Sequence, residues 1–540
     1  MAVLPVLQLL TPLIPYFVCP PSVVYWALYP YAPVAVIVFF CLASVPLTFV
    51  GSLLYRRYHN RREAARLGAV LPPFVQDSSW LGRGVMKAML TDFDEGYIGD
   101  HFFEWSYKYG WTMGLSVMLE DRIHTSEPEY IKAILASNFQ GFMKGPQGRF
   151  QLRQMLGDGV FNSDDDTWKF HRGMTRPFFS RERISDFETF EQHTQKALSV
   201  LRARLQEGHA IDFQDLVSRF TIDAATDFLF GADMQSLSAD IPYPHTHTPL
   251  AARPPNAHPN DVFANAFLEA QTSLARRSRY GLAWPLFELF DNGVEKNMTV
   301  IRAFVDPIVA RAVEQADSGH MGEKTEKVEV EEGETLLDHL AKSTRDTTLL
   351  RDETLNILLA GRDTTASLLS SAIYALTQNP SIFARLREEI LSVVGPTRAP
   401  TPDDIRACKF VRAVLNETMR LWPPVPFNGR RSREPTVWPA TTPGGKPLYI
   451  PADTRCTYSV MMMHRRTDLW GPDALTFDPD RWLDDRLKIL TANPFIFLPF
   501  NAGPRICLGQ QGREKLWLKS HLTSYWKGGV WVRMDAVESS

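Results

Sequence analysis

Cysteine is scarce in this sequence. Cys19, Cys41, Cys408, Cys456 and Cys507 are spread over 540 positions, odd in number and without metal-ligand spacing. That excludes a disulfide framework and a zinc module, and it fits a reducing environment for the main domain. Excess positive charge is also missing. A formal net charge of −3 argues against a nucleic-acid partner bound by phosphate neutralisation. There is no internal repeat and no glycine-rich phosphate loop. What remains, 45% hydrophobic and 22% charged, is ordinary globular material, long enough for one large domain or two to three smaller ones.

A second absence is local. From Met1 to Tyr55 there is no Asp, Glu, Lys or Arg. Inside this stretch Pro33 to Leu54 gives 22 mostly apolar residues, and a bilayer-spanning helix needs about 20. Pro46 falls within it, which membrane helices tolerate. Arg56, Arg57, Arg61 and Arg62 follow at once and mark the cytosolic side. A signal peptide would want a basic start and a shorter apolar core. Residues 1–55 are therefore read as a membrane anchor. The earlier apolar run, Val3 to Val18, carries Pro5, Pro12 and Pro15; it is read as interfacial, with a second pass or a re-entrant piece as alternatives. Residues 56–74 read as a basic, proline-rich linker with a stiff hinge at Leu71 to Phe74, and residues 75–540 as the catalytic domain.

That domain reads as mainly helical with a minor β part. Two polar segments, Tyr243 to Asp261 and Met321 to Glu334, read as surface loops; the histidines of the first are too irregular for a metal site. The longest periodic block runs through Leu355, Leu358, Leu359, Leu368, Leu369 and Ile373 and stops at Asn379 and Pro380. A second amphipathic helix is closed by Gly395 and Pro396. A third, from Asp403, is stopped by Pro423 and Pro424, and short β-like runs follow.

The chemistry concentrates around Cys507. Gly503 and Gly509 frame it where backbone can approach a ligand without a Cβ, Phe500 is spaced to cover a sulfur, and Arg505 to meet an anion beside it. An axial thiolate with a cation at the rim is what a haem needs. The stretch FNAGPRICLG resembles the FxxGxRxCxG signature of the cytochrome P450 superfamily without a mismatch. Other blocks are similar in family order. ETMR and FDPDRW imply a buried structural network of Glu417, Arg420 and Arg481. WKFHR implies that Trp168 and Arg172 donate to a haem propionate, and FNGRRSRE adds Arg430, with Arg431 as the alternative. AGRDTT, a polar interruption of an apolar helix, implies that Gly361 makes room for a ligand, Thr364 bonds water or oxygen, and Asp363 relays protons.

The resemblance thus implies a single P450-fold domain holding haem b through Cys507. It implies a monooxygenase using O2 and electrons from NADPH through a membrane-bound P450 reductase, on the cytosolic side of the endoplasmic reticulum membrane. Around Trp168 the sequence looks like fungal membrane-bound members that oxidise fatty acids, alkanes and related long apolar molecules. A reductase-independent isomerase or peroxygenase has less use for Asp363 and Thr364. The pattern breaks after Gln511: residues 512–540 are atypical, with Arg513, Glu514 and Lys515 where the family continues an apolar helix. An aberrant tail, and with it a haem-binding but catalytically impaired product, is the alternative expectation.

Overall fold

The computed structural model describes residues 3–29, 31–118, 120–179, 187–239, 241–244, 259–319, 333–508 and 525–533. The polar run 320–332, most of the Pro/His-rich loop (245–258) and Gly509 to Ser524, with Gly512 to Lys515, lie outside the described residues. The chain divides into two compact units. Unit one takes Met1–Thr125, Arg276–Gly293 and Arg430–Thr457, and unit two the rest.

In unit one, helix α1 (Ile14–Leu28) lies against helix α2 (Val34–Arg66). Tyr16 meets the Phe49 ring edge-on, and the Cys41 thiol points at the Pro21 carbonyl, 3.3 Å away. Among the described residues α2 alone is long and apolar enough to cross a membrane. Its 33 residues make a rod of about 50 Å against a hydrocarbon core of about 30 Å. The basic run Arg56 to Arg62 is the last part of this same rod. The Leu71 to Phe74 segment is pinned at both ends, by bridges from Val70 to Leu448 and from Phe74 to Gly114. Strands β1 (Thr112–Val117) and β2 (Glu120–Thr125) form an antiparallel hairpin, registered Thr112 with Thr125 and Val117 with Glu120. Strand β3 (Phe427–Ser432) and strand β4 (Arg455–Ser459), each partly in this unit, continue the sheet in the order β1-β2-β4-β3.

Unit two is helical. Helices α3 (Asp165–Thr175), α4 (Pro259–Tyr280, as far as Ala275 in this unit), α5 (Thr347–Gln378) and α6 (Lys409–Leu421) position the site. Asp346 caps α5 by accepting from the Thr348 and Leu349 N–H groups. One large core joins Trp168, Phe178, Phe267 and Leu358. A second, with Phe410, Trp470, Trp482 and Ile496, lies beside α6.

The helix expected from Asp403 is two. A short helix, Pro402–Ala407, ends at Cys408 and α6 begins one residue on. The restart is capped from another helix: the Glu389 carboxylate accepts from the Phe410 and Val411 N–H groups at 2.8 and 2.9 Å. The described part of the tail is packed. Trp531–Val532 pairs antiparallel with Ile211–Asp212, and Val530 and Val532 are buried with Leu216 and Leu237.

Candidate functional site

The cysteine loop folds back on itself. Asn501 and Gly503 take positive φ, +65° and +66°, and the Asn501 side chain is held by the Tyr458 hydroxyl at 3.1 Å. At Gly503 a Cβ would stand 1.9 Å from the Leu135 carbonyl oxygen, so only glycine lets the loop lie this close. The Cys507 N–H donates to the Phe500 carbonyl at 3.1 Å, closing the turn. Phe500 packs with Leu368 of α5 and Met419 of α6, and Cys507 lies against this cluster. The thiol is thus carried between two helices, with part of its surface open.

Two arginines tie the loop to its surroundings. Arg172 of α3 donates to the Ile506 carbonyl at 2.9 Å, one residue before the cysteine. Burial pulls the Arg172 guanidinium below its ordinary value, against the opposing pull of Cys507. Arg505 donates to the Ser163 carbonyl and pairs with Asp164 at 3.0 Å, and its guanidinium lies over the Trp168 ring, 4.5 Å from the centroid. Sequence reading missed Asp164. It is buried, and it also accepts from the Lys144 and Gly145 N–H groups. The run of three aspartates gave a signal but not which one turns inward.

On α5, Thr364 is fully buried and its hydroxyl donates to the Ala360 carbonyl at 2.9 Å, while Gly361 and Thr365 keep part of their surface. Asp363 pairs with Arg362 at 3.0 Å and also bonds to Gln271 of α4. Burial raises its carboxyl above the ordinary value, with Arg362 and Gln271 opposing. Asp363 Oδ2 and Ser367 Oγ, one turn apart, are buried polar atoms with no hydrogen-bond partner among the described residues. Gln271 was not legible as a site residue, because it stands on a different helix far away in sequence. A buried pair between His171 and Glu353 joins α3 to α5.

Beneath the loop, the Glu417 carboxylate is fully buried. It accepts from Arg420 Nε and Nη2 at 2.8 and 2.7 Å, from the Asp478 N–H and from Trp482 Nε1, and Arg481 Nε stands 3.6 Å away. Arg420 also donates to the carbonyls of His464, Ala474 and Thr476. In unit one, Arg430 is buried on β3. Its neighbour Arg431 is committed elsewhere, to Glu120 at 2.9 Å and Asp453 at 3.1 Å.

A partly open thiol, on a loop held by two guanidinium groups that lie over one indole and seated against a helix with orphaned polar atoms, fits a haem held by a thiolate. The comparisons with known proteins agree. The Cytochrome P450 family model matches residues 84–511. The chain is 37% identical over 407 residues to Cytochrome P450 52A1 of Candida tropicalis, covering 74% of this chain and 71% of the relative. It is 34% identical over 485 residues to Cytochrome P450 52E1 of Candida apicola, covering 87% and 88%. To Cytochrome P450 monooxygenase pvhE of Talaromyces variabilis it is 35% identical over 424 residues, covering 74% and 72%. The chain belongs to the cytochrome P450 family. With that membership come an oxidoreductase activity of the monooxygenase type, haem iron with a cysteine thiolate ligand, O2, an apolar substrate and a redox partner.

Proposed function

We propose that this enzyme hydroxylates long-chain fatty acids, alkanes or similar apolar molecules. Haem b would be the cofactor, with electrons from NADPH delivered through a P450 reductase. We place it on the endoplasmic reticulum membrane by α2, with the catalytic domain on the cytosolic side, where the arginines after the apolar span would put it. The observation that carries the chemistry is the seating of Cys507 against Phe500 and Leu368, on the helix that also bears Asp363 and Thr364.

In this reading the Cys507 thiolate would hold the haem iron. Trp168, Arg172, Arg430 and Arg505 would hold its propionates, Gly503 and, by its place in the sequence, Gly509 would leave room for it, and Phe500 would shield the sulfur. The chemistry a haem supplies there is reductive activation of O2, with the thiolate as electron donor. The protein supplies the protons. Asp363, its carboxyl raised by burial, sits one residue from Thr364 and passes a proton toward that hydroxyl. Thr364, anchored on the Ala360 carbonyl, holds the acceptor in place. Glu417, Arg420 and Arg481 keep the layer under the cysteine rigid.

The test is the carbon-monoxide difference spectrum of the reduced protein. Cys507→Ala should lose the thiolate-shifted Soret band together with NADPH-dependent hydroxylation of dodecane and dodecanoic acid. A shifted band retained in the variant would remove Cys507 as the ligand. For the anchor, a chain lacking residues 1–54 should leave the membrane fraction while keeping its haem spectrum.

A further inference from the structure

Away from the haem site, unit two holds a buried imidazole with a nitrogen to spare. His193 stands on the helix Phe187–Gln206 and is 1% exposed. Its Nε2 lies 3.0 Å from Asp227 Oδ2, on the helix Phe213–Phe230. A carboxylate can only accept, so Nε2 carries the proton and Nδ1 keeps its lone pair. Nδ1 is buried and has no hydrogen-bond partner among the described residues.

Two more carboxylates converge there. Asp223 lies one turn before Asp227 on the same face of its helix. Gly231 ends that helix at φ +64°, and Asp233 follows in the turn. A ring nitrogen of His193, an oxygen of Asp223 and an oxygen of Asp233 lie within 4.8 Å of one another. Ligand atoms around a tetrahedral zinc ion stand about 3.3 Å apart, so a modest contraction closes this triangle on one ion. The carboxylates are already oriented by the backbone. Asp223 accepts from the Ser236 and Leu237 N–H groups at 2.8 and 2.9 Å, and Asp233 from the Gln235 N–H at 2.8 Å. Asp227 orients the imidazole in the same way, and supporting bonds of this kind hold metal ligands in place.

The cation that meets all three carboxylates is Lys196, one helical turn on from His193. It donates to Asp233 Oδ2 at 2.8 Å. The Asp233 carboxylate, with Asp223 and Asp227 adding to it, holds this ammonium above its ordinary value. Lys196, Asp227 and Asp233 are all partly exposed, so a metal ion can enter from solvent, displace the flexible ammonium and keep water in its remaining positions. One imidazole among carboxylates suits zinc better than magnesium or calcium.

We propose that His193, Asp223 and Asp233 bind a divalent transition-metal ion, zinc foremost, with Asp227 orienting the imidazole. Such an ion would clamp the two helices to the turn after Gly231. The test uses untagged full-length protein in nonionic detergent, stripped with a chelator and titrated calorimetrically with zinc chloride. The X-ray absorption of the bound zinc should show nitrogen and oxygen neighbours at about 2.0–2.2 Å. Asp227→Asn should weaken binding about 10–100-fold, and His193→Gln and Asp233→Asn at least as much. Lys196→Met should tighten it. The carbon-monoxide difference spectrum should be unchanged in all four variants, and the partly exposed Asp233 supplies the test should His193→Gln not fold. The proposal is overturned if zinc does not bind, if neither His193→Gln nor Asp233→Asn weakens it, or if Lys196→Met binds no tighter. It is equally overturned if binding is lost only when His245, His247 and His258 are replaced, or if magnesium displaces zinc at equal concentration.

Discussion

Replacing Glu417 by glutamine changes one atom and reverses its role. The carboxylate serves four donor groups in a fully buried place: two from Arg420, the Asp478 N–H and the Trp482 indole. Glutamine keeps the shape, removes the charge, and turns one acceptor into a donor aimed at N–H groups. Arg420 would keep its carbonyl partners, but its guanidinium would be a fully buried cation whose bidentate carboxylate is gone. Breaking one side of such a pair costs about 3–5 kcal/mol, a large share of a stability of about 5–15 kcal/mol. The denaturation midpoint of Glu417→Gln in urea, followed by tryptophan fluorescence, should fall accordingly, and haem content with it. The double variant Glu417→Leu with Arg420→Met should recover part of the loss, because no lone charge remains. A single variant within about 1 kcal/mol of wild type, or a double variant as poor as the two singles summed, would refute the argument.

Thr364→Ala should keep haem and substrate binding but lower product formed per NADPH consumed, with peroxide rising; misplaced proton transfer of this kind costs about 10²–10⁴-fold, and unchanged coupling would release Thr364 from the role. Gly503→Ala should destabilise the haem domain by at least about 2 kcal/mol, since the left-handed backbone and the Leu135 carbonyl both oppose a side chain; equal thermal midpoints would contradict this. His464 and His124 are both pushed down to about 3 by burial, so the unfolded chain takes up protons that the folded chain refuses. Their contribution to stability is full above about pH 6.5 and is lost as pH falls toward 3, each losing about 2 kcal/mol by pH 5. Urea midpoints measured from pH 7 to pH 5 should fall, and a flat profile would count against both.

The residues that were legible in sequence are those whose neighbours in space are also neighbours along the chain. Gly503, Arg505 and Cys507 share one loop, and Glu417 and Arg420 one turn of helix. The α5 helix was readable because its apolar period and its end at Asn379 and Pro380 are local properties. What sequence could not give were partners brought in from elsewhere. Glu389 caps α6 from a preceding helix, so the break at Cys408 carried no local signal. Asp164 anchors Arg505 from 341 residues away. Arg430 and Arg431 were alternatives on paper, and only the position of Glu120 shows that Arg431 is already engaged. The run Arg56 to Arg62 suggested a linker, but nothing in its composition opposes helix, and it continues α2.

The pairing of Trp531–Val532 with Ile211–Asp212 has a consequence for how the protein is made. The Val530 N–H reaches the Asp212 carboxylate across 318 positions of chain. At about 5–20 residues per second, a ribosome that has just delivered Asp212 needs roughly 15–60 s more before Val530 exists. Ile211 and Leu216, both buried in the finished protein, face that interval without their covering strand. Until then they lie open to a holding chaperone or to a temporary partner within the chain. Slowing elongation after Asp212 would lengthen the exposure without changing a single contact of the finished fold.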